Sequence, residues 1–195
     1  MVGILLAAGF SRRFGLENKL LQALPDGRFM AAAAAQNLIS GLPTSVAVLR
    51  ADNLQLAALL ENIGFHIVFC DANATEMSDS LATAIHHIQA LPEAQTGCVI
   101  ALADMPFIQT TTIERVAQSL QNGADIVIPT YQQQRGHPVG FAVKFYNDLM
   151  KITGDEGARG VVKHNLEHVT FLDCNDIGIL QDIDTPNDLD NITAN

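Results

Sequence analysis

The opening residues Val2-Gly3-Ile4-Leu5-Leu6-Ala7-Ala8-Gly9-Phe10-Ser11-Arg12-Arg13-Phe14-Gly15, with Lys19 just downstream, constrain this chain more than any other stretch. The apolar start has no polar break, which predicts a strand buried on both faces, and it runs straight into a small-residue turn with two arginines. Small residues let backbone N–H groups approach an anion closely, and guanidinium groups offer phosphate oxygens paired, charge-assisted hydrogen bonds. The stretch therefore reads as a cradle for a triphosphate. It is neither the P-loop pattern, which needs Gly-Lys-Ser/Thr after four intervening residues, nor the dinucleotide fingerprint with its three spaced glycines.

The overall charge sharpens this reading. A formal net charge of −10 argues against nonspecific nucleic-acid binding, so any phosphate substrate must be drawn in by a local cluster, here Arg12, Arg13 and Lys19. The 195 residues suit one compact domain with a real core. Hydrophobic residues at 48% and charged residues at 16% exclude a disordered chain, and no apolar run is long enough to cross a bilayer. The N-terminus enters a strand directly after Met1, without the basic segment and apolar core of a secretory signal, so a cytoplasmic protein is expected. Cys70, Cys98 and Cys174 are odd in number and far apart, which fits reduced thiols in the core better than disulfides or a zinc site.

Along the chain the hydrophobic period switches repeatedly between two and 3.6. Helices are predicted over 30–39, over the leucine-rich segment capped by Asp52 or Asn53 and stopped by Gly64, and from Ser78 or Asp79 to about residue 90. A further helix runs to Asn122 from a capping box of Thr111 with Glu114. Strands are predicted over 46–49, 65–69, 98–103 and 126–128. The later part is less regular, with strands expected at 139–143, 169–172 and 179–183 and helices at 145–152 and 158–165. A short helix is expected to start at Pro186, with Thr185 as its cap. Strands alternating with helices of this length imply right-handed crossovers and one Rossmann-like α/β domain, its sheet mostly parallel and covered by helices on both faces.

In such sheets ligands bind outside the carboxyl ends of the strands. The opening loop and Asp104 each follow a buried strand, so the rule places them along one edge. A carboxylate there suits magnesium, which takes one or two carboxylates, substrate phosphate oxygens and water; a plain turn cap is the alternative. Asp182 and Asp184 sit two residues apart on a predicted strand, and alternation sends both to the same side. Asp184 is favoured to complete the metal site, although helix-cap electrostatics also explains an acidic residue there.

The order A-A-G-x-S-x-R-x-G followed by Lys resembles the signature of nucleotidyltransferases, in the branch that holds the molybdenum cofactor cytidylyltransferases. Met77-Ser78-Asp79-Ser80-Leu81, Leu102-Ala103-Asp104-Met105-Pro106, Gly136-His137-Pro138-Val139-Gly140-Phe141, Gly154 to Gly160, and Asp182-Ile183-Asp184-Thr185-Pro186 are similar to that family's successive motifs, in order and over most of the chain. The resemblance implies transfer of a nucleotide from a triphosphate to molybdopterin, with Mg²⁺, and release of pyrophosphate. It implies catalytic roles for Arg13, Lys19 and Asp104, with Asp104 on the metal that Asp184 is favoured to complete. Leu6, Ala7, Ala8, Gly9, Ser11, Ser78, Ser80, His137 and Arg159 are the binding residues it marks, and the segments around His137 and Arg159 are expected near the pterin-bearing substrate. Leu6-Ala7-Ala8-Gly9 and Leu24-Pro25-Asp26-Gly27 look like the cytidylyl branch, implying CTP rather than GTP. Glu76 and Asp79 depart from the family pattern. A transferase acting on another phosphate acceptor, and a noncatalytic carrier that delivers the pterin cofactor to a molybdenum hydroxylase, are the competing expectations.

Other features carry less. His164-Asn165-Leu166-Glu167-His168 matches a zinc-protease pattern that works only on one continuous helix, and a strand is expected from Val169. His86 and His87 diverge by about a hundred degrees on a helix and read as a solvated face. His137 either contacts substrate or stabilises its turn, Arg159 either binds an acceptor phosphate or covers a helix surface, and Asp155 reads most simply as a helix cap.

Overall fold

A computed structural model describes residues 1–9, 18–71, 76–154 and 157–193. In chain order the elements are β1 (Val2–Leu6), α1 (Met30–Gly41), β2 (Ser45–Leu49), α2 (Leu54–Ile63), β3 (His66–Phe69), α3 (Met77–Ile88), β4 (Gly97–Leu102) and α4 (Thr110–Gln121). There follow β5 (Ile126–Tyr131), β6 (Gln134–Arg135), β7 (Val139–Ala142), α5 (Tyr146–Leu149), α6 (Arg159–His164), β8 (Val169–Asp173) and α7 (Pro186–Thr193). Among the described residues, eight strands make one sheet in the order β3-β2-β1-β4-β7-β5-β6, with β8 paired to β5. The expected single α/β domain with a mostly parallel sheet is what forms.

Each uninterrupted apolar strand is explained by two cores, one on each sheet face. Val2 and Ile4 of β1 pack into one and Leu5 into the other, the alternation of a pleated strand. Helices α1, α2 and α4 cover the Leu5 face, and α3, α5 and α6 the face of Val2 and Ile4. Ile4 and Leu5 have no exposed surface, a burial that contributes roughly 1.5–3 kcal/mol apiece. Cys70, Cys98 and Cys174 are buried and unbridged, as core thiols.

The sheet departs from parallel where the sequence was least regular. Strand β7 runs antiparallel to both β4 and β5, and β5 turns into β6 as a hairpin. The turn residues Gln132 and Gln133 have φ of +48° and +68°, a left-handed pair that matches the twist of a two-residue hairpin. Asparagine and glycine are the residues that announce such a turn, and two glutamines do not. Because β7 is antiparallel, its amino end lies at the same sheet edge as the carboxyl ends of β1 and β4. That reversal carries His137 toward Asp104.

Several local expectations are corrected. Helix α3 starts at Met77, with a capping box formed by Glu76 and Asp79 rather than a Ser78 or Asp79 cap. Asn53 does precede α2, but its side chain makes no cap bond. Helix α4 starts at Thr110 after Gln109, which makes no side-chain cap bond, so the Thr111 and Glu114 box is not the starting device. The strand expected over 179–183 is a 3-10 turn, Ile177–Leu180, followed by extended chain. Only Tyr146–Leu149 of the expected 145–152 helix is α-helical. His164 and His168 fall in separate elements, α6 and a 3-10 turn, and their Nδ1 atoms face the Gly160 carbonyl and Asp125 respectively, so no zinc pair forms. Asp155 lies outside the described residues.

Candidate active site

The carboxyl edge of the sheet is built from the middle outward. The Ala7 N–H donates to the Val48 carbonyl at 2.9 Å and the Ala103 N–H to the Leu6 carbonyl at 3.1 Å, so the ladder continues past the strand ends. This sets the Leu6 to Gly9 turn directly beside Asp104. Ala7 and Ala8 are buried in the two cores while Gly9 faces solvent. Ser11, Arg12 and Arg13 lie outside the described residues.

Lys19 reaches the same edge from a single 3-10 turn, Lys19–Leu21. Asn18 caps that turn, its Oδ1 accepting from the Leu20 N–H at 3.1 Å, and its Nδ2 donates to Asn53 Oδ1 at 3.1 Å. The lysine is 6% exposed, and its ammonium lies 2.9 Å from Asp104 Oδ2 and 3.0 Å from Asp184 Oδ1. Burial works against the charged ammonium, but the charge and hydrogen bond of Asp104, with those of Asp184, outweigh it and raise the Lys19 pKa. Leaving such an amine without its partners would strand a buried charge.

Asp184 arrives on extended chain, not on a strand. The Ile183 N–H donates to the Asp104 carbonyl at 3.0 Å, which ties the two acidic segments together at the backbone. Because no strand forms over 179–183, alternation does not operate there: Asp182 is exposed at the surface while Asp184 turns to Lys19. Of the two aspartates, Asp184 is the one that shares this edge with Lys19 and Asp104. Asp188 shapes this turn, its Oδ2 accepting from the backbone N–H groups of Asp184 and Thr185 and from the Thr185 hydroxyl.

Two carboxylate oxygens converging on one cationic centre form an all-oxygen donor set. That set fits a hard divalent cation, which takes one or two carboxylates and completes its shell with phosphate oxygens and water. Asp104 and Asp184 are the residues that would hold it.

His137 stands at the amino end of β7, its N–H donating to the Ile179 carbonyl at 3.0 Å. Its Nδ1 is closed off from solvent and has no hydrogen-bond partner among the described residues. Burial, reinforced by the charge of Arg159 and opposed by that of Asp104, pushes its pKa down to about 4. The ring is therefore neutral at pH 7, with an unused polar atom between the Arg159 and Asp104 charges.

Ser78 and Ser80 sit in the first turn of α3 and are both buried. The Ser78 hydroxyl is 3.4 Å from Glu76 Oε2, and Ser80 Oγ is 3.5 Å from Cys70 Sγ. Glu76 also accepts from the Gly154 N–H at 2.7 Å, which fastens the segment leading to Arg159 against the start of α3. The two acidic residues that break the family pattern are thus helix-capping groups, and one is also a link between two loops.

Sequence reasoning missed Asp176. It is 2% exposed, and its carboxylate accepts from the Gln109 N–H at 2.9 Å, the Thr112 hydroxyl at 2.6 Å and the Gly178 N–H at 3.0 Å. The Asp-x-Gly spacing marks a local turn, but nothing local announces that the same carboxylate starts α4 from more than sixty residues away.

Comparison with known proteins then gives the family. A family model described as the MobA-like NTP transferase domain matches residues 3–169. The chain is 27% identical to nicotine blue oxidoreductase of Paenarthrobacter nicotinovorans, over 95% of this chain and 92% of that one. It is 26% identical to purine catabolism protein PucB of Bacillus subtilis (strain 168), over 97% and 94% respectively. Among solved structures it is similar to the homolog of Mycobacterium tuberculosis rv0371c from mycobacterium sp. strain JC1, with a TM-score of 0.81, 26% identity and coverage of 99% of this chain and 94% of that one.

Proposed function

The chain belongs to the MobA-like NTP transferase family, and from that premise we propose that it transfers CMP from CTP to the terminal phosphate of a molybdopterin-type cofactor, releasing pyrophosphate. It is a nucleotidyltransferase; the nucleotide, the acceptor and the metal are what the proposal adds. The observation that carries it is the convergence of Lys19, Asp104 and Asp184 at the sheet edge, beside the Leu6 to Gly9 turn.

The reaction needs no covalent intermediate. An oxygen of the acceptor phosphate attacks the α-phosphorus in line with the departing pyrophosphate, and that phosphate is already ionised at neutral pH, so no general base is assigned. Lys19 and Arg13 neutralise the charge that develops on the triphosphate. Asp104 and Asp184 hold Mg²⁺, which when bound supplies further neutralisation of the phosphate oxygens. Ser11, Ser78, Ser80, His137 and Arg159 bind the substrates, with His137 and Arg159 on the acceptor side. The likeness of Leu6-Ala7-Ala8-Gly9 to the cytidylyl branch supports CTP over GTP.

The carrier reading drew its force from Glu76 and Asp79, two acidic groups expected to repel a polyanionic substrate. Both carboxylates serve the capping box of α3, and Glu76 also holds Gly154, so that argument loses its weight. Calorimetric titration with CTP and GTP, each with and without Mg²⁺, tests the proposal. Metal-dependent binding of CTP in preference to GTP is expected, followed by pyrophosphate release once a molybdopterin acceptor is added. Equal affinity for the two nucleotides would overturn the base assignment, and nucleotide binding indifferent to Mg²⁺ would overturn the metal reading. Delivery of the product to a molybdenum hydroxylase completes the proposal.

A further inference from the structure

Residues 177–184 form a strap laced between the two loops of the sheet edge. The Ile183 N–H bonds the Asp104 carbonyl, the His137 N–H bonds the strap's Ile179 carbonyl, and Asp184 at its end meets Lys19. The packing leaves no slack at two points. A Cβ on Gly178 would lie 2.1 Å from the Phe107 carbonyl oxygen, and one on Gly136 would lie 2.3 Å from that of Ile179. The strap therefore has one seat, against backbone on both sides.

What anchors its amino end is the buried Asp176. One oxygen, Oδ2, accepts from the Gln109 N–H and the Thr112 hydroxyl at the start of α4; the other, Oδ1, accepts from the Gly178 N–H within the strap. Helix α4 has no side-chain cap of its own at Gln109, so this carboxylate supplies one and joins helix and strap through two oxygens of one group. The loop 104–109 leads straight into α4, so the same group fixes the far end of the segment bearing Asp104.

We propose that Asp176 is a positioning residue, locking the strap to the start of α4 so that Asp184 is held opposite Asp104. The assignment of that carboxylate pair to a divalent cation rests on the proposed function; the locking itself does not. The carboxylate is needed as such. In Asp176→Asn one oxygen becomes an NH₂ donor, and wherever it points it faces a backbone N–H that can only donate, that of Gly178 or that of Gln109. Either arrangement breaks the joint on one side.

The test compares Asp176→Asn and Gly178→Ala with Thr112→Val, which removes one donor on the helix side and leaves the strap bond in place. Two quantities are read: hydrogen exchange at the Ile183 and His137 amides, and Mn²⁺ affinity by electron paramagnetic resonance with CTP present. Expected are faster exchange at both amides in Asp176→Asn and Gly178→Ala, and Mn²⁺ affinity lower by up to about tenfold, the low end of what losing a direct outer partner of a metal ligand costs, because Asp176 acts through the strap and not on a ligand itself. Thr112→Val should lose thermal stability while both readouts stay near those of the parent. Unchanged exchange in Asp176→Asn overturns the proposal, and so does faster exchange with unaltered Mn²⁺ affinity, or a Thr112→Val variant matching Asp176→Asn in both. If Asp104→Asn binds Mn²⁺ as tightly as the parent, the metal reading falls instead, and exchange alone decides the role of Asp176.

Discussion

The Lys19 ammonium lies 2.9 Å from Asp104 Oδ2, although the two residues are 85 apart in the chain and sit on different elements. A buried amine joined to a carboxylate at the carboxyl edge of a parallel sheet puts the proposed phosphate-binding cation and a candidate metal ligand within one substrate's reach. Asp184 joins them from the other end of the chain.

Replacing Lys19 by Met keeps most of the buried stem and removes the charge. Pyrophosphate release from CTP is expected to fall by about two to three orders of magnitude, the usual cost of losing one preorganised charge-stabilising group. Asp104 and Asp184 are then left close together without their shared cation, so the variant should also melt lower. Turnover in a pyrophosphate-release assay equal to the parent's would remove Lys19 from the mechanism.

Glu76→Ala removes a cap and a tie between loops at once. Losing an N-cap acceptor costs about 1 kcal/mol, which in a domain of this size lowers Tm by roughly 2–4 °C. Glu76→Asp shortens the reach to Gly154 and should raise the KM for the acceptor more than that for CTP, because only the former is expected to touch the 154–160 segment. Thermal melting and steady-state kinetics check the two halves separately.

His137 gives stability a defined pH dependence. In the unfolded chain the ring takes its proton near pH 6.5, in the fold only near pH 4. Between those values the unfolded state binds more protons, so stability rises with pH through the window and is lost as pH falls toward 4. About 2 kcal/mol of the change from pH 7 to pH 5 should come from this one ring. Urea unfolding of His137→Gln at the two pH values should show a correspondingly smaller difference, and a difference as large as the parent's would assign the effect elsewhere.

Removal of divalent metal should leave the fold intact and weaken CTP binding. The two carboxylates already share the Lys19 ammonium, so the edge is held together by protein charges alone. Melting in chelator should therefore match melting in Mg²⁺ without nucleotide to within a few degrees, while the CTP titration loses its signal. A large loss of Tm in chelator would mean the ion is structural.

The amino-acid sequence by itself determined the fold class, the order of elements through β4, and the placement of residues 7–9 and Asp104 on one edge. These follow from local facts: apolar runs with no polar break, helix periods between them, and the rule that parallel strands present their carboxyl ends together. The tertiary structure alone decided the antiparallel reversal of β7, which brings His137 in, the seating of Asp184 on Lys19 while Asp182 stays at the surface, and the reach of Asp176 to the start of α4. Each of these depends on a partner distant in the chain. Two glutamines accept a left-handed turn because flanking strands pair, a predicted strand gives way to a strap seated between the Phe107 carbonyl and the Gly136 backbone, and a carboxylate finds its donors only once the sheet has set their positions. Periodicity records which side of an element is buried; it holds no record of what lies across the gap, and the chemistry of this edge is made there.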